Sequence, residues 1–170
     1  KTAMHNELTE QDLKMMREEL HYRQFTLRPK LLEDVKTARA FGDLSENFEY
    51  KVAKQEKNRN ESRIRFLENM IKTAKVVEDR SGEDQVGMYD RVTLYMEDDD
   101  ETETYQIVTA MRQNVLQGRI SRESPVGRVL MGKKVGDRVH IQVNESYGYD
   151  AVIRAIEKGE DDGEIPLNQY

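Results

Sequence analysis

Apolar residues recur at helical spacing along the first forty positions. Leu13, Met16, Leu20, Leu27, Leu31, Val35 and Ala38 are three, four or seven residues apart, which places them on one stripe of an α-helix. Thr9 is the expected N-cap, with Asp12 three residues on. Pro29 falls inside the stripe. A proline there removes one intrahelical hydrogen bond, so a kink or break is expected near Arg28. A second stripe, over residues 46–77, uses Phe48, Val52, Ile64, Leu67, Ile71 and Ala74. Folding the chain back at Asp43-Leu44 sets Leu20 against Leu67, Met16 against Ile71, Leu13 against Ala74, and Val35 against Val52 or Ala53. That is the register of an antiparallel α-helical coiled-coil hairpin. Between Lys54 and Arg63 the second helix has no apolar residue, so the middle of the stem is expected to pack poorly.

Beyond Glu78 the pattern changes. "DRSGED" reads as a linker, and alternating runs rich in Val, Ile and Tyr follow at 91–96, 104–109, 138–143 and 149–156. "EDDDETE" is an acidic turn between the first two runs, and residues 125–131 read as one short helix closed by Gly132. The expected fold class is α+β: a coiled-coil hairpin over residues 1–78, then a small antiparallel-sheet domain with one short helix over 79–170. The acidic tail that ends the chain is expected to be loose or draped on the surface.

Composition sharpens this division. Apolar residues make up 36% of the 170 and charged residues 35%, a polar balance that suits an elongated shape with little core. The net charge is −6, but residues 1–78 carry 16 Lys and Arg against 14 Asp and Glu, whereas residues 79–170 carry 11 against 19. Two modules with different partners are expected. No window approaches the ~18 consecutive apolar residues of a membrane span. With no cysteine, disulfides and thiolate metal sites are excluded, which fits a reducing cytoplasm. His5, His21 and His140 lack metal-ligand spacing, and neither a Gly-rich phosphate loop nor a Ser-His-Asp order is present.

The hairpin turn carries the candidate chemistry. Gly42 can end the first helix in a left-handed conformation, and Asp43 with Glu46 can form a capping box for the second. A second reading is that two carboxylates three positions apart face the same way at the tip of a thin rod. There they can be delivered into another molecule's pocket. Carboxylate oxygens suit Mg²⁺, although two are too few to hold it tightly alone. Lys51, Lys54, Lys57, Arg59, Arg63 and Arg65 line the second helix, as a solvated face or as a basic strip for RNA phosphates. Ser124 reads as the N-cap of the short helix.

"ARAFGDLSENFEY" at the turn closely resembles the tip of the Gre transcript-cleavage factors of bacterial RNA polymerase, whose signature is A-R-x-x-G-D-L-x-E-N-x-E-Y. "ISRESPVGRVLMGKKVGDRV" resembles the Gre C-terminal segment S-P-[ILV]-[GA]-[RK]-x-L-[ILM]-G-K, and the likeness runs over roughly residues 8–157. The resemblance implies a coiled coil followed by an FKBP-like domain. It implies a protein that is not itself an enzyme but reaches through the polymerase's secondary channel. There Asp43 and Glu46 would help hold the second Mg²⁺ at the polymerase's own active site. Hydrolysis of backtracked nascent RNA near its 3′ end would be stimulated, and arrested elongation complexes rescued. By the same resemblance Gly42, Ser45, Asn47, Glu49, Tyr50 and Arg39 would shape or support the tip. Lys51, Lys54, Lys57 and Arg59 would attract RNA, and Ser124, Pro125 and Arg128 would face the polymerase rim. Dilution of the basic strip by Glu56 and Glu61 favours the GreA type over the GreB type, and a monomer is expected. Asp12 stands where the family usually has glycine. The rival readings are a channel binder that inhibits without cleavage and a coiled-coil scaffold without chemistry.

Overall fold

The computed structural model describes residues 7–42 and 47–169. They form two compact units, Asp12–Ala74 and Lys75–Gln169, the latter joined by residues 7–11. The residue pattern places the boundary after residue 78. The structure divides the chain four residues earlier, and a two-residue strand β1 (Glu7–Leu8) pairs in parallel with β2 (Lys75–Val76).

The helical unit contains α1 (Glu10–Tyr22), a five-residue π-helical turn (Arg23–Leu27), α2 (Arg28–Arg39) and α3 (Phe48–Lys72). The disturbance expected near Arg28 takes the form of the π-turn. The Arg28 N–H donates to the carbonyl of Arg23, five residues back, which inserts one extra residue into the helix. Pro29 then enters in the first turn of α2, where a missing N–H costs little. Leu13, Met16, Leu31, Val35, Ala38, Ile64 and Leu67 are buried as the two stripes require, and Met70 joins them.

The middle of the stem corrects the expectation of poor packing, because polar side chains fill the apolar gap. Glu19 accepts hydrogen bonds from Arg23 Nε at 2.7 Å and from Arg63 at 2.8 and 3.1 Å. Arg23 donates to Asn60 Oδ1 at 2.8 Å, and Asn60 Nδ2 donates back to the Arg23 carbonyl at 3.3 Å. Arg28 grips Glu61 with two 2.8 Å bonds. Asn60 and Arg63 are buried. Burial pushes the Glu19 carboxyl up, but the bonds from Arg63 and Arg23 outweigh it and leave it below its ordinary value. The lattice and the π-turn share an atom: the Arg23 carbonyl accepts both the Arg28 N–H and Asn60 Nδ2.

The other unit is a five-stranded sheet of order β5-β4-β3-β7-β6. Its strands are β3 (Arg91–Met96), β4 (Glu101–Val108), β5 (Arg119–Ser121), β6 (Arg138–Gln142) and β7 (Gly148–Glu157). The sheet is mixed rather than wholly antiparallel, since β5 joins β4 in parallel. Alternation puts Val92, Leu94 and Met96 inward, against Ile107, Ile141, Ile153 and Leu130 of the short helix α4 (Pro125–Leu130). The tail is draped and also pinned. Arg112, fully buried, binds both carboxylate oxygens of Asp161 at 2.7 and 2.8 Å and the Ile165 carbonyl at 2.8 Å. No helix among the described residues is long and apolar enough to cross a membrane.

Candidate functional site

The end of α2 tightens into a turn. Ala40 N–H donates to Thr37 O at 3.2 Å and Phe41 N–H to Ala38 O at 3.1 Å. Gly42 follows at φ +113°, a backbone that side-chain-bearing residues rarely adopt. Residues 43–46, and with them the candidate acids Asp43 and Glu46 and the tip residue Ser45, lie outside the described residues. The chain is described again at Asn47, which caps α3: its Oδ1 accepts from Tyr50 N–H at 3.0 Å. The capping box read for Asp43 and Glu46 is thus corrected, because the helix begins four residues later and uses Asn47.

Asn47 performs a second task. Its Nδ2 donates to the Ala38 carbonyl at 2.7 Å. One amide therefore satisfies an orphan donor at the start of α3 and gives the Ala38 carbonyl at the end of α2 a second donor beside Phe41 N–H. It ties the two helices together at the base of the segment that carries the acids. Above it, the Arg39 guanidinium lies 5.6 Å and the Lys54 ammonium 5.9 Å from the centre of the Tyr50 ring. Both distances are in the range of cation–π attraction. Hydrogen bonding from Arg39, with the charges of Lys54 and Arg39, holds the Tyr50 phenol below its ordinary value. Glu49 is exposed in the first turn of α3, where a negative charge suits the helix dipole.

The structure brings Arg39, Asn47, Tyr50 and Lys54 together as a frame. Arg59 does not belong with the others. At about 100° per residue it is turned roughly 140° from Lys54 around α3, and it pairs with Glu56 at 2.8 Å. Helical spacing puts Phe48 and Val52 in the stem stripe. Both are exposed, as is Phe41. Nothing in their spacing marks this: Phe48 and Val52 stand four apart, as stem residues would.

Ser124, Pro125 and Arg128 lie in the sheet unit. Ser124 caps α4, accepting from Gly127 N–H at 3.0 Å, and donates to Ser121 O at 2.7 Å. Pro125 occupies the first turn, and Arg128 is exposed. A Cβ on Gly127 would stand 2.2 Å from the Ser121 carbonyl oxygen, so only glycine lets α4 sit so close. The preceding loop is fastened to β1 by Arg122, which donates to Glu7 at 3.0 and 3.2 Å. Among the described residues no group of three or more His, Cys, Asp or Glu is placed to hold a metal ion.

Two family models match the chain: the N-terminal domain of the GreA/GreB transcription elongation factors over residues 6–76, and their C-terminal domain over 81–158. Transcription elongation factor GreA of Bacillus subtilis (strain 168) is 40% identical over 135 residues, covering 79% of this chain and 86% of its own. That of Thermoanaerobacter pseudethanolicus is 44% identical over 137 residues, covering 80% and 87%. The solved structure of GreA factor homolog 1 (Gfh1) of Thermus thermophilus aligns with a TM-score of 0.41 at 27% identity, covering 89% of this chain and 98% of its own. On the two family models and these GreA relatives, the chain belongs to the Gre family of transcription elongation factors.

Proposed function

We propose that this protein binds bacterial RNA polymerase as a monomer, through the secondary channel. There it stimulates the polymerase's own hydrolysis of backtracked nascent RNA. The observation that carries this reading is the Asn47 bridge, from Ala38 O to Tyr50 N–H. It ties the end of α2 to the start of α3, so that the chain on either side of the segment carrying Asp43 and Glu46 is fixed. Preorganised ligands contribute more to a transition state than mobile ones.

The donor set fits a hard cation. Two carboxylates with no soft ligand suit Mg²⁺, and their small number suits an ion held jointly with a second protein. Asp43 and Glu46 would be this chain's ligands. An ion held there would supply activation of the attacking water. The chain itself orients: Asn47 links the helix ends, and the Arg39–Tyr50–Lys54 frame ties the end of α2 to the first turns of α3. Ser124, Pro125 and Arg128 would face the rim of the polymerase, and Lys51, Lys54 and Lys57 would draw the RNA 3′ end by phosphate attraction. The bond is broken by the polymerase, so the chain is a cofactor of that reaction and not an enzyme.

The test is a gel of backtracked elongation complexes. Asp43→Asn and Glu46→Gln should each abolish stimulated RNA shortening while polymerase binding stays close to that of the parent. If both variants cut like the parent, the metal role is lost. Blocked synthesis by the parent would mean inhibition, and no effect would leave a scaffold.

A further inference from the structure

Phe41 and Phe48 flank the tip segment at 68% and 75% exposure, and Val52, one turn along α3, is 39% exposed. All three open onto one groove of about 640 Å³ between α2 and α3. Scattered apolar residues on a surface need no explanation, but three large ones in a single groove mark a binding surface. None of them is part of the buried stem core. The groove wall also carries Asp34, Glu49 and Glu56 against a single ammonium, Lys30. Lys30–Asp34 at 3.0 Å and Arg59–Glu56 at 2.8 Å are exposed pairs, which hold their partners weakly and leave the carboxylates available. An apolar floor with an acidic wall repels a phosphate backbone. It matches an apolar side chain flanked by lysine or arginine.

We propose that this groove docks a protein segment of the polymerase, one that presents an apolar anchor between basic side chains, and so fixes how deeply the hairpin is seated. The inference rests on the polymerase binding proposed above. An extended or helical segment laid into a groove between two helices is a common recognition mode, and aromatic anchors commonly supply most of the affinity in such contacts. The groove face differs from the Arg39–Tyr50–Lys54 face. Phe48 and Val52 are turned from Tyr50 by roughly 160° around α3, so seating and tip stiffening use separate side chains.

The double variant Phe41→Ala/Phe48→Ala tests this on nucleic-acid-free core polymerase. Both side chains are exposed, so the thermal melt of the hairpin should not move, while the Kd rises about tenfold or more. Glu49→Lys, which reverses one wall charge, should weaken binding in the same assay. A photo-crosslinking benzoylphenylalanine at position 48 should map to a polymerase peptide. An unchanged Kd in the double variant overturns the proposal, as does a crosslink to RNA in backtracked complexes or to a second copy of this chain. A parent protein that does not bind polymerase at all overturns the proposed function as well. A parent that binds, with variants that bind equally, overturns only the groove.

Discussion

At the scale of single residues, Asn47 does most to define the tip, because its two hydrogen bonds run to different helices. Asn47→Ala removes both and should cost about 1–2 kcal/mol in a urea titration followed by helix circular dichroism. Asn47→Asp separates the two roles. Its carboxylate still accepts from Tyr50 N–H and adds a charge that the α3 N-terminus favours. It has no proton to donate to the Ala38 carbonyl, however, and sets two acceptors face to face. Its stability should therefore fall between that of the parent and that of Asn47→Ala. An aspartate variant as stable as the parent would reduce Asn47 to an ordinary helix cap. Cleavage supplies an independent readout: if the bridge to Ala38 positions the acids, Asn47→Asp should lose stimulation even where its melt is close to normal.

At the scale of elements, the stem is two apolar seams separated by a polar lattice built around Glu19 and Arg63. Glu19→Ala strands a buried guanidinium and should cost about 3 kcal/mol, whereas Glu19→Leu with Arg63→Met should recover most of that loss. The folded-state pKa of Glu19 lies below its ordinary value of 4.5. Its contribution is thus complete above that value and fades as pH falls through the folded pKa. The stability gap between parent and Glu19→Ala, read from urea midpoints, should close toward acid. A gap independent of pH would assign the effect to packing. The same lattice explains what the sequence could and could not disclose. Helical spacing identified α1, α2 and α3 and the antiparallel register, because burial of Leu13, Met16, Ile64 and Leu67 depends on period alone. The absence of apolar residues between Lys54 and Arg63 was legible, but its consequence was not. Whether Asn60 and Arg63 face water or each other's partners depends on the π-turn, and the proline signalled only that some disturbance was due. In the sheet unit, alternation located β3, β6 and β7. The three-residue β5 is too short to show a period, and β1 and β2 exist only through their pairing. At the tip the turn motif named the residues Arg39, Gly42, Asn47 and Tyr50. Spacing could not assign the cap to Asn47 rather than Asp43, since Asp-x-x-Glu satisfies the same rule.

At the scale of the whole molecule, a net charge of −6 would argue against any affinity for RNA if charge acted as a sum. It does not, because at physiological ionic strength a charge is felt over about 8 Å. What an RNA 3′ end meets is therefore the local set, and the excess of acids belongs to residues 79–170. On this reading Lys51, Lys54 and Lys57 act as a short-range field, and salt is the lever that tests it. Lys51→Glu/Lys57→Glu is the informative pair, since it leaves Lys54 over the Tyr50 ring and the tip frame intact. The concentration of factor needed for half-maximal cleavage should rise about tenfold at low salt, and the difference from the parent should shrink to about twofold as salt is raised. Screening removes a field but leaves steric damage untouched. A difference that persists unchanged at high salt would therefore show that the two lysines act through shape, and RNA guidance would then have to come from the polymerase alone.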